Sequence, residues 1–473
     1  MSAPAPSRYA AAASSPASSR ARLASLALAM LLASLGSSIA NVGLPTLAQA
    51  FGASFQQVQW VILAYLLAIT TLVVGAGRLG DIEGRRRLLL AGMALFTLGS
   101  LLAGLAPALG WLVAARAIQG SGAALMMGLT LSLVGDAVAK EKTGSAMGLL
   151  GSMSAIGTAL GPSLGGWLIG GLGWRSSFLV LVPLGAATLA AAWRSLPADR
   201  PARREGAPAF DAAGMLLLAV TLGAYTLSMT VGRGAAGVLN LLLLVAAVVG
   251  LGALRAVERR SPAPLLPAAM LRDPALRAGL ATTALTATVM MATLVIGPFY
   301  LSQGLGLDAT WLGLAMSVGP MVAAACGVPS GRLVDRLGTR VTTLCGLGGM
   351  TAGAAGLALL PASLGIAGYV APLMVATAGY ALFQAANTTG VMREVPSDRR
   401  GVVSGLLTLA RNLGFVTGAS LMGTIFAHAG RPGAAPAEQA LSGLQATFGV
   451  ASVLLIAAIA IAARRQPARP TER

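Results

Sequence analysis

Gly77, Arg78, Leu79, Asp81, Gly84 and Arg86 recur as Gly331, Arg332, Leu333, Asp335, Gly338 and Arg340, an offset of 254 residues at every position. An aspartate set among arginines at a short turn makes ion pairs and helix-end hydrogen bonds, and both can form and break. The glycines permit a tight reversal and close approach of helices. These residues, with Arg85, form a candidate conformational gate: Gly77, Asp81, Gly84, Arg85 and Arg86 in one copy, Gly331, Asp335 and Arg340 in the other. A weaker echo pairs Val138, Glu141, Lys142, Gly144 and Gly148 with Val395, Asp398, Arg399, Gly401 and Gly405.

Other residues carry chemistry inside apolar runs. Arg116 has Gln119 one turn away as a hydrogen-bond partner, and Arg411 stands alone. A guanidinium at such depth faces a cavity, meets a partner or snorkels to the interface. Gly157, Gly161 and Gly165 recur every four residues and form one smooth helix face for close packing. Pro162 bends that helix, and Gly166 extends its small surface. Neither cysteine, Cys326 or Cys345, has metal or redox spacing, and both read as packing residues. The only histidine is His428, which reads as a loop residue, so no metal site and no cofactor is expected. Met126, Met127, Met290 and Met291 suit packing or an adaptable binding wall.

The elements that must position these residues follow from composition. The chain has 473 residues, 56% hydrophobic and 10% charged, with mean hydropathy +0.78. Soluble domains carry about 25% charged residues, so an all-α polytopic membrane protein is expected. Net charge is +18, but it sits in short loops without a basic groove motif, which excludes nucleic acid as a partner. Fourteen spans fit the apolar runs at roughly 20 residues each. Of the 33 Lys and Arg, 28 fall in the termini and in loops after even-numbered spans, three fall in opposite loops and two within spans. The positive-inside rule then places both termini in the cytoplasm.

The repeat shifts by eight spans, which predicts two six-helix bundles, residues 23–195 and 278–464, around an inserted hairpin, 212–256. Residues 1–22 and 465–473 form the cytoplasmic ends, the first of them disordered. Residues 196–211 and 257–277 are linkers. Arg20 and Arg22 before an apolar stretch resemble a signal sequence, but the run continues past Pro45 and reads as the first span. Related halves in a membrane protein point to transport by alternating access.

The turn from Gly77 to Arg87 resembles the signature between helices 2 and 3 of the major facilitator superfamily. Leu112, Arg116, Gln119, Gly120 and Gly122 resemble its next motif, and Gly157 through Gly166 is similar to its exporter motif. Asn41 to Pro45, Gln59, Trp60, Tyr65, Trp174, Arg175, Phe178, Pro183, Asp211, Gly214, Phe383, Gln384 and Asn387 resemble the fourteen-span drug:proton antiporter branch. The resemblance covers about residues 23–463. It implies export of amphipathic organic compounds across a bacterial cytoplasmic membrane, with protons as the coupling ion and a monomer as the working unit. Arg116 and Gln119 are then candidates for coupling. Asn41, Trp60, Tyr65, Phe383, Gln384, Asn387 and Arg411 are candidates for the substrate cavity. The sequence departs from the family at one point: Gly36 stands where span 1 often carries an aspartate, and no Asp or Glu lies well inside any span. Two other readings stay open: a narrow exporter of one metabolite, and a membrane sensor that moves nothing. A membrane enzyme is excluded by the lack of clustered catalytic groups.

Overall fold

The computed structural model describes residues 16–137, 143–199, 212–230, 237–260, 272–359, 361–393, 395, 400–429 and 435–464. Residues 1–15, most of both linkers, the tail and the charged residues of the weaker echo lie outside the described residues; residues 16–22, expected to belong to a disordered start, instead form the first turns of α1, because Pro16 opens the helix and it continues unbroken into the apolar run. The described residues are helical, with no strand. The first half comprises α1 (Pro16–Val42), α2 (Leu44–Ala50), α3 (Phe55–Val58), α4 (Trp60–Glu83), α5 (Arg85–Gly104), α6 (Leu109–Ala137), α7 (Thr143–Leu172), α8 (Trp174–Leu179) and α9 (Leu181–Ser195). A pair follows, α10 (Ala212–Thr230) and α11 (Val238–Arg260). The second half comprises α12 (Pro274–Phe299), α13 (Ala309–Ala358), α14 (Gly365–Arg393), α15 (Arg400–Thr417), α16 (Gly423–His428) and α17 (Pro436–Ala463). Ten stretches among the described residues are long and apolar enough to cross a membrane. The short α10 and the runs of α7 and α15–α16 are not among those ten.

As one rod, the 50 residues of α13 would reach about 75 Å at 1.5 Å per residue, more than twice a bilayer core. The helix instead breaks at Gly338, with φ +78 and ψ 162. Gly84, at the same place in the other repeat, has φ +99. Both repeated turns thus reverse the chain through a left-handed glycine, a backbone conformation that a Cβ disfavours.

The repeated arginines also find equivalent partners. Arg86 donates to the carbonyl of Trp193 at 2.8 Å, near the end of α9, and Arg340 donates to that of Ala463 at 3.1 Å, at the end of α17. Each ties its turn to the last helix of its own half, where helix carbonyls lack intrahelical donors and the dipole is negative. The ring of Trp193 lies 5.2 Å below the Arg86 guanidinium.

The start of α5 is capped from a distance. Gly84 offers no side chain, and Asp199 takes its place: its carboxylate accepts the backbone N–H groups of Arg86 at 2.8 Å and Arg87 at 2.9 Å. The sequence pattern assigns capping to Asp81, whose side chain lies outside the described residues. Asp199→Ala is expected to cost about 0.5–2 kcal/mol. The check is a lowered thermal midpoint in detergent, with Asp199→Asn falling between it and the wild type.

Local signals set the other helix starts. Ser54 and Gln57 form a reciprocal capping box at α3. Asp273 caps α12 just before Pro274, and Asp308 caps α13. Within helices, hydroxyls such as Thr70, Thr226 and Thr286 donate to the carbonyl four residues back, which satisfies them where no water is available.

Packing reproduces the duplication. In the first half α1 packs on α7, and α5 and α4 pack on α6; in the second α12 packs on α15, and α13 on α14. The α10–α11 pair stands to the side. In the apolar stretch of α11 only 11% of positions are buried, against 72% in α1. Its Leu241, Val245, Val248 and Val249 face outward, as lipid contact requires. α10 leans on α4 near the seam between the halves, and Tyr225 donates to Thr417 at 3.1 Å. Cys345 is exposed rather than packed, and Cys326 is half-buried.

Candidate functional site

The two halves meet at the membrane face away from the chain ends. The small face of α7 makes one part of this seam. Gly166 abuts Gly313 and Ala309 of α13, and Ser163 hydrogen-bonds Ser317. α2 touches α12 and α3 touches α16. Phe55 of α3 stacks edge-on against Phe299 of α12 at 4.6 Å and tilts against Phe426 of α16 at 5.4 Å. Such pairs each contribute about 0.5–1.5 kcal/mol beyond their area. Gln59, fully buried, sits beside Gly423 across the same seam. At the other face Val328, Arg332, Asp335 and Leu337 of α13 are exposed. Among the described residues, Arg86 and Arg340 of the repeated turns bind only partners from their own halves. The side chains of Arg78 and Asp81 lie outside the described residues, and Arg85 is half-buried.

Arg116 is a buried hub in the first half. Its side chain is 0% exposed, so it does not snorkel. Nε donates to the carbonyl of Val61 on α4 at 2.9 Å, and Nη1 to that of Gly36 on α1 at 3.0 Å and to Gln119 Oε1. Gln119 in turn donates to Ser100 of α5 at 2.7 Å. Tyr65 lies 4.1 Å below the guanidinium and donates to the carbonyl of Ala33 at 2.8 Å. One guanidinium thus joins α1, α4 and α6, and through Gln119 also α5. Carbonyl dipoles and a π-face take the place of a carboxylate. The absent aspartate has a packing counterpart: a Cβ at Gly36 would lie 2.6 Å from the ring tip of Phe96.

The second half holds the cavity. About 200 Å³ of open volume lies between α12, α14 and α15. Phe383, Gln384, Asn387 and Arg411 come together here, as the sequence reading groups them. Arg411 is eleven residues from the start of α15, about 16 Å along the helix and so near mid-depth of a bilayer core. Its Nε is buried without a hydrogen-bond partner. Asn387 donates to the carbonyl of Gly279 at 3.0 Å and to Thr283 at 2.9 Å, which fixes its orientation.

Asn41, Trp60 and Tyr65 are not part of this cavity. Asn41 is buried in α1, Trp60 is half-buried at the start of α4, and Tyr65 is held under Arg116. Sequence reasoning missed Thr283, Thr286, Tyr380 and Thr408, which also line the space. The available signal was the threonine spacing along α12, where Thr283 and Thr286 share a face at three residues. His428 is exposed, with its ring nitrogen 2.8 Å from the Thr424 carbonyl. Met126 is buried in a core of the first half, and Met291 in a core to which both halves contribute.

Residues 26–419 match the Major Facilitator Superfamily. The chain belongs to this superfamily. Multidrug resistance protein Stp of Mycobacterium tuberculosis is 33% identical over 412 residues, covering 85% of this chain and 74% of that protein. The probable actinorhodin transporter of Streptomyces coelicolor is 31% identical over 416 residues, covering 83% and 70%. The fold is similar to the crystal structure of a bacterial homolog of the human lysosomal transporter Spinster, in an inward-facing and unoccupied conformation, with TM-score 0.68, 18% identity and coverage of 95% and 97%. The protein is a multi-pass membrane transporter, not an enzyme, and superfamily exporters of drugs and antibiotics are among its relatives.

Proposed function

We propose that the protein exports amphipathic organic molecules across the bacterial cytoplasmic membrane by alternating access, as a monomer. The observation that carries this reading is a polar-lined cavity at mid-membrane depth in the second half, in a molecule whose halves, among the described residues, meet at the face away from the chain ends. A cargo enters from the face with the chain ends, which is cytoplasmic by the positive-inside rule. Rocking of α1–α9 against α12–α17 then parts the aromatic seam around Phe55 and closes the other face. In the closed state the repeated turns act as the latch: Asp81 and Asp335 pair with basic residues across the halves, while Gly166 slides on the small surface that Ala309 and Gly313 offer on α13. The kinship with Stp and with the actinorhodin transporter supports organic cargo.

Fourteen spans follow when α13 counts as two, α8–α9 and α15–α16 as one each, and α7 and α10 are included. On this count the exporter is of the fourteen-span branch, with α10–α11 as the accessory hairpin. Arg116 and Gln119 hold the first half rigid while it moves. The resemblance implies proton antiport, but the residues lining the interior support another driving force.

The test is accumulation of a panel of fluorescent amphipathic compounds in everted vesicles. Several chemically distinct compounds should accumulate above vesicles without the protein. Uptake of a single compound would establish a narrow exporter. No uptake of any compound would overturn the proposal and favour the sensor.

A further inference from the structure

We infer that the cargo crosses as an organic anion held by Arg411, and that the membrane potential drives its export without a proton carried on a protein carboxylate. This rests on the exporter reading.

The two intramembrane arginines differ in what surrounds them. Arg116 is sealed and bonded to two carbonyls and an amide. Arg411 opens on the cavity, and its Nε is buried with no acceptor. A guanidinium keeps its charge at any working pH, so a low-dielectric site that holds one favours an anion. No carboxylate among the described residues reaches it. α12 presents Thr283 and Thr286, α14 presents Tyr380, Gln384 and Asn387, and α15 itself presents Thr408. Thr283, Thr286 and Asn387 already donate within the bundle, so Arg411 with the half-buried Tyr380 and Gln384 supplies the donors for the oxygens of a sulfonate, carboxylate or phenolate, and the lining Phe383, Leu407 and Met392 suit its apolar body. The only titratable group among the uncharged ones is a phenol, neutral near pH 7.

The acidic residues stand elsewhere in the sequence. All fifteen fall at 81, 83, 136, 141, 199, 205, 211, 258, 273, 308, 335, 394, 398, 438 and 472, at helix ends or in connections. Asp199, Asp273 and Asp308 are occupied as helix caps. His428 is exposed at the far end of α16. Among the described residues, no carboxylate or histidine is placed to take a proton at mid-depth.

Charge then determines the direction. With a monoanion bound, the Arg411 centre is neutral as it reorients. Empty, it returns carrying one positive charge toward the negative interior. Each cycle moves one negative charge outward. A 50-fold gradient of a monoanion corresponds to about 100 mV, inside negative.

The experiment uses purified full-length protein in proteoliposomes. The probes are anilinonaphthalene sulfonate, anionic at every pH used, and its neutral sulfonamide. A potassium gradient with valinomycin sets the potential at equal pH; a pH gradient at equal potassium, with valinomycin present, tests protons. Lumen-positive potential should raise uptake of the sulfonate at least tenfold, and the pH gradient should leave it unchanged. Arg411→Gln, its fold verified by its thermal midpoint and elution profile in detergent, should lose at least tenfold in sulfonate uptake; Arg411→Lys should restore part of the loss. Sulfonate uptake that follows the pH gradient, or that survives Arg411→Gln unchanged, would overturn the inference. Movement of the sulfonamide alone by the wild type would overturn it and leave the exporter reading standing. Movement of neither probe would sink both.

Discussion

Gly161→Leu is expected to abolish transport, while Gly151→Leu on the same helix should leave it near the wild-type rate. Gly161 is buried where α7 presses on α1, and a Cβ there would collide with Ser38, coming within 2.7 Å of its Cβ and 2.9 Å of the backbone nitrogen of Ile39. Gly157 and Gly165 meet α1 in the same way, against Leu31 and Ile39. Gly151 is exposed, and a Cβ there would meet no atom within 4 Å. Rotamer changes cannot relieve a clash with backbone. The helices must separate, and the Ser38 bond to the Gly157 carbonyl at 3.2 Å is lost. Overpacking costs about 1–3 kcal/mol or more, and α7 also carries the Gly166 and Ser163 contacts to α13. The measurement is vesicle transport at matched membrane expression. A fully active Gly161→Leu protein would mean that α1 and α7 do not stay packed during the cycle. Equal loss in Gly151→Leu would show a general intolerance of bulk on α7.

The second large effect concerns the missing span-1 carboxylate. Gly36→Asp alone is expected to reduce the folded yield severely. The added Cβ would lie 2.6 and 2.7 Å from Phe96 ring carbons, and Phe96 is itself fully buried. Combining it with Phe96→Leu removes the ring tip and opens room for the carboxylate. The guanidinium of Arg116 is adjacent, since Nη1 already bonds the Gly36 carbonyl, and its Nη2 has no partner. The introduced acid then pairs with a buried cation, and the double variant should recover most of the yield. The interaction between the two substitutions should exceed about 1 kcal/mol in a double-mutant cycle of thermal stability, within the range seen for contacting residues. An additive double variant, as unstable as the two changes summed, would show that Phe96 does not occupy the carboxylate's place. If the recovered protein gains a dependence of transport on the pH gradient, a single substituted carboxylate suffices to convert the driving force.

How much of this was legible beforehand depends on the range of each interaction. The repeated turns were visible because six residue types at one offset suffice to mark them, and Gly84 and Gly338 do adopt the positive φ that such turns need. The small face of α7 was visible because a spacing of four residues is a property of one helix. Membrane character followed from composition alone. These features are local or periodic, and the chain displays them without folding.

Tertiary structure decided the rest. Tyr65 and Arg116 are 51 positions apart in sequence and form one stacked pair; the sequence placed Tyr65 in a cavity instead. Asp199 caps a helix 113 residues upstream, a pairing that no local pattern displays. Arg411 and Arg116 look alike as single charges in apolar runs, yet one opens on a cavity and the other is bonded on all but one nitrogen. A lone polar residue in a helix carries no record of which helix will face it. That partner is set by how three or more helices pack, and only the folded bundle supplies it.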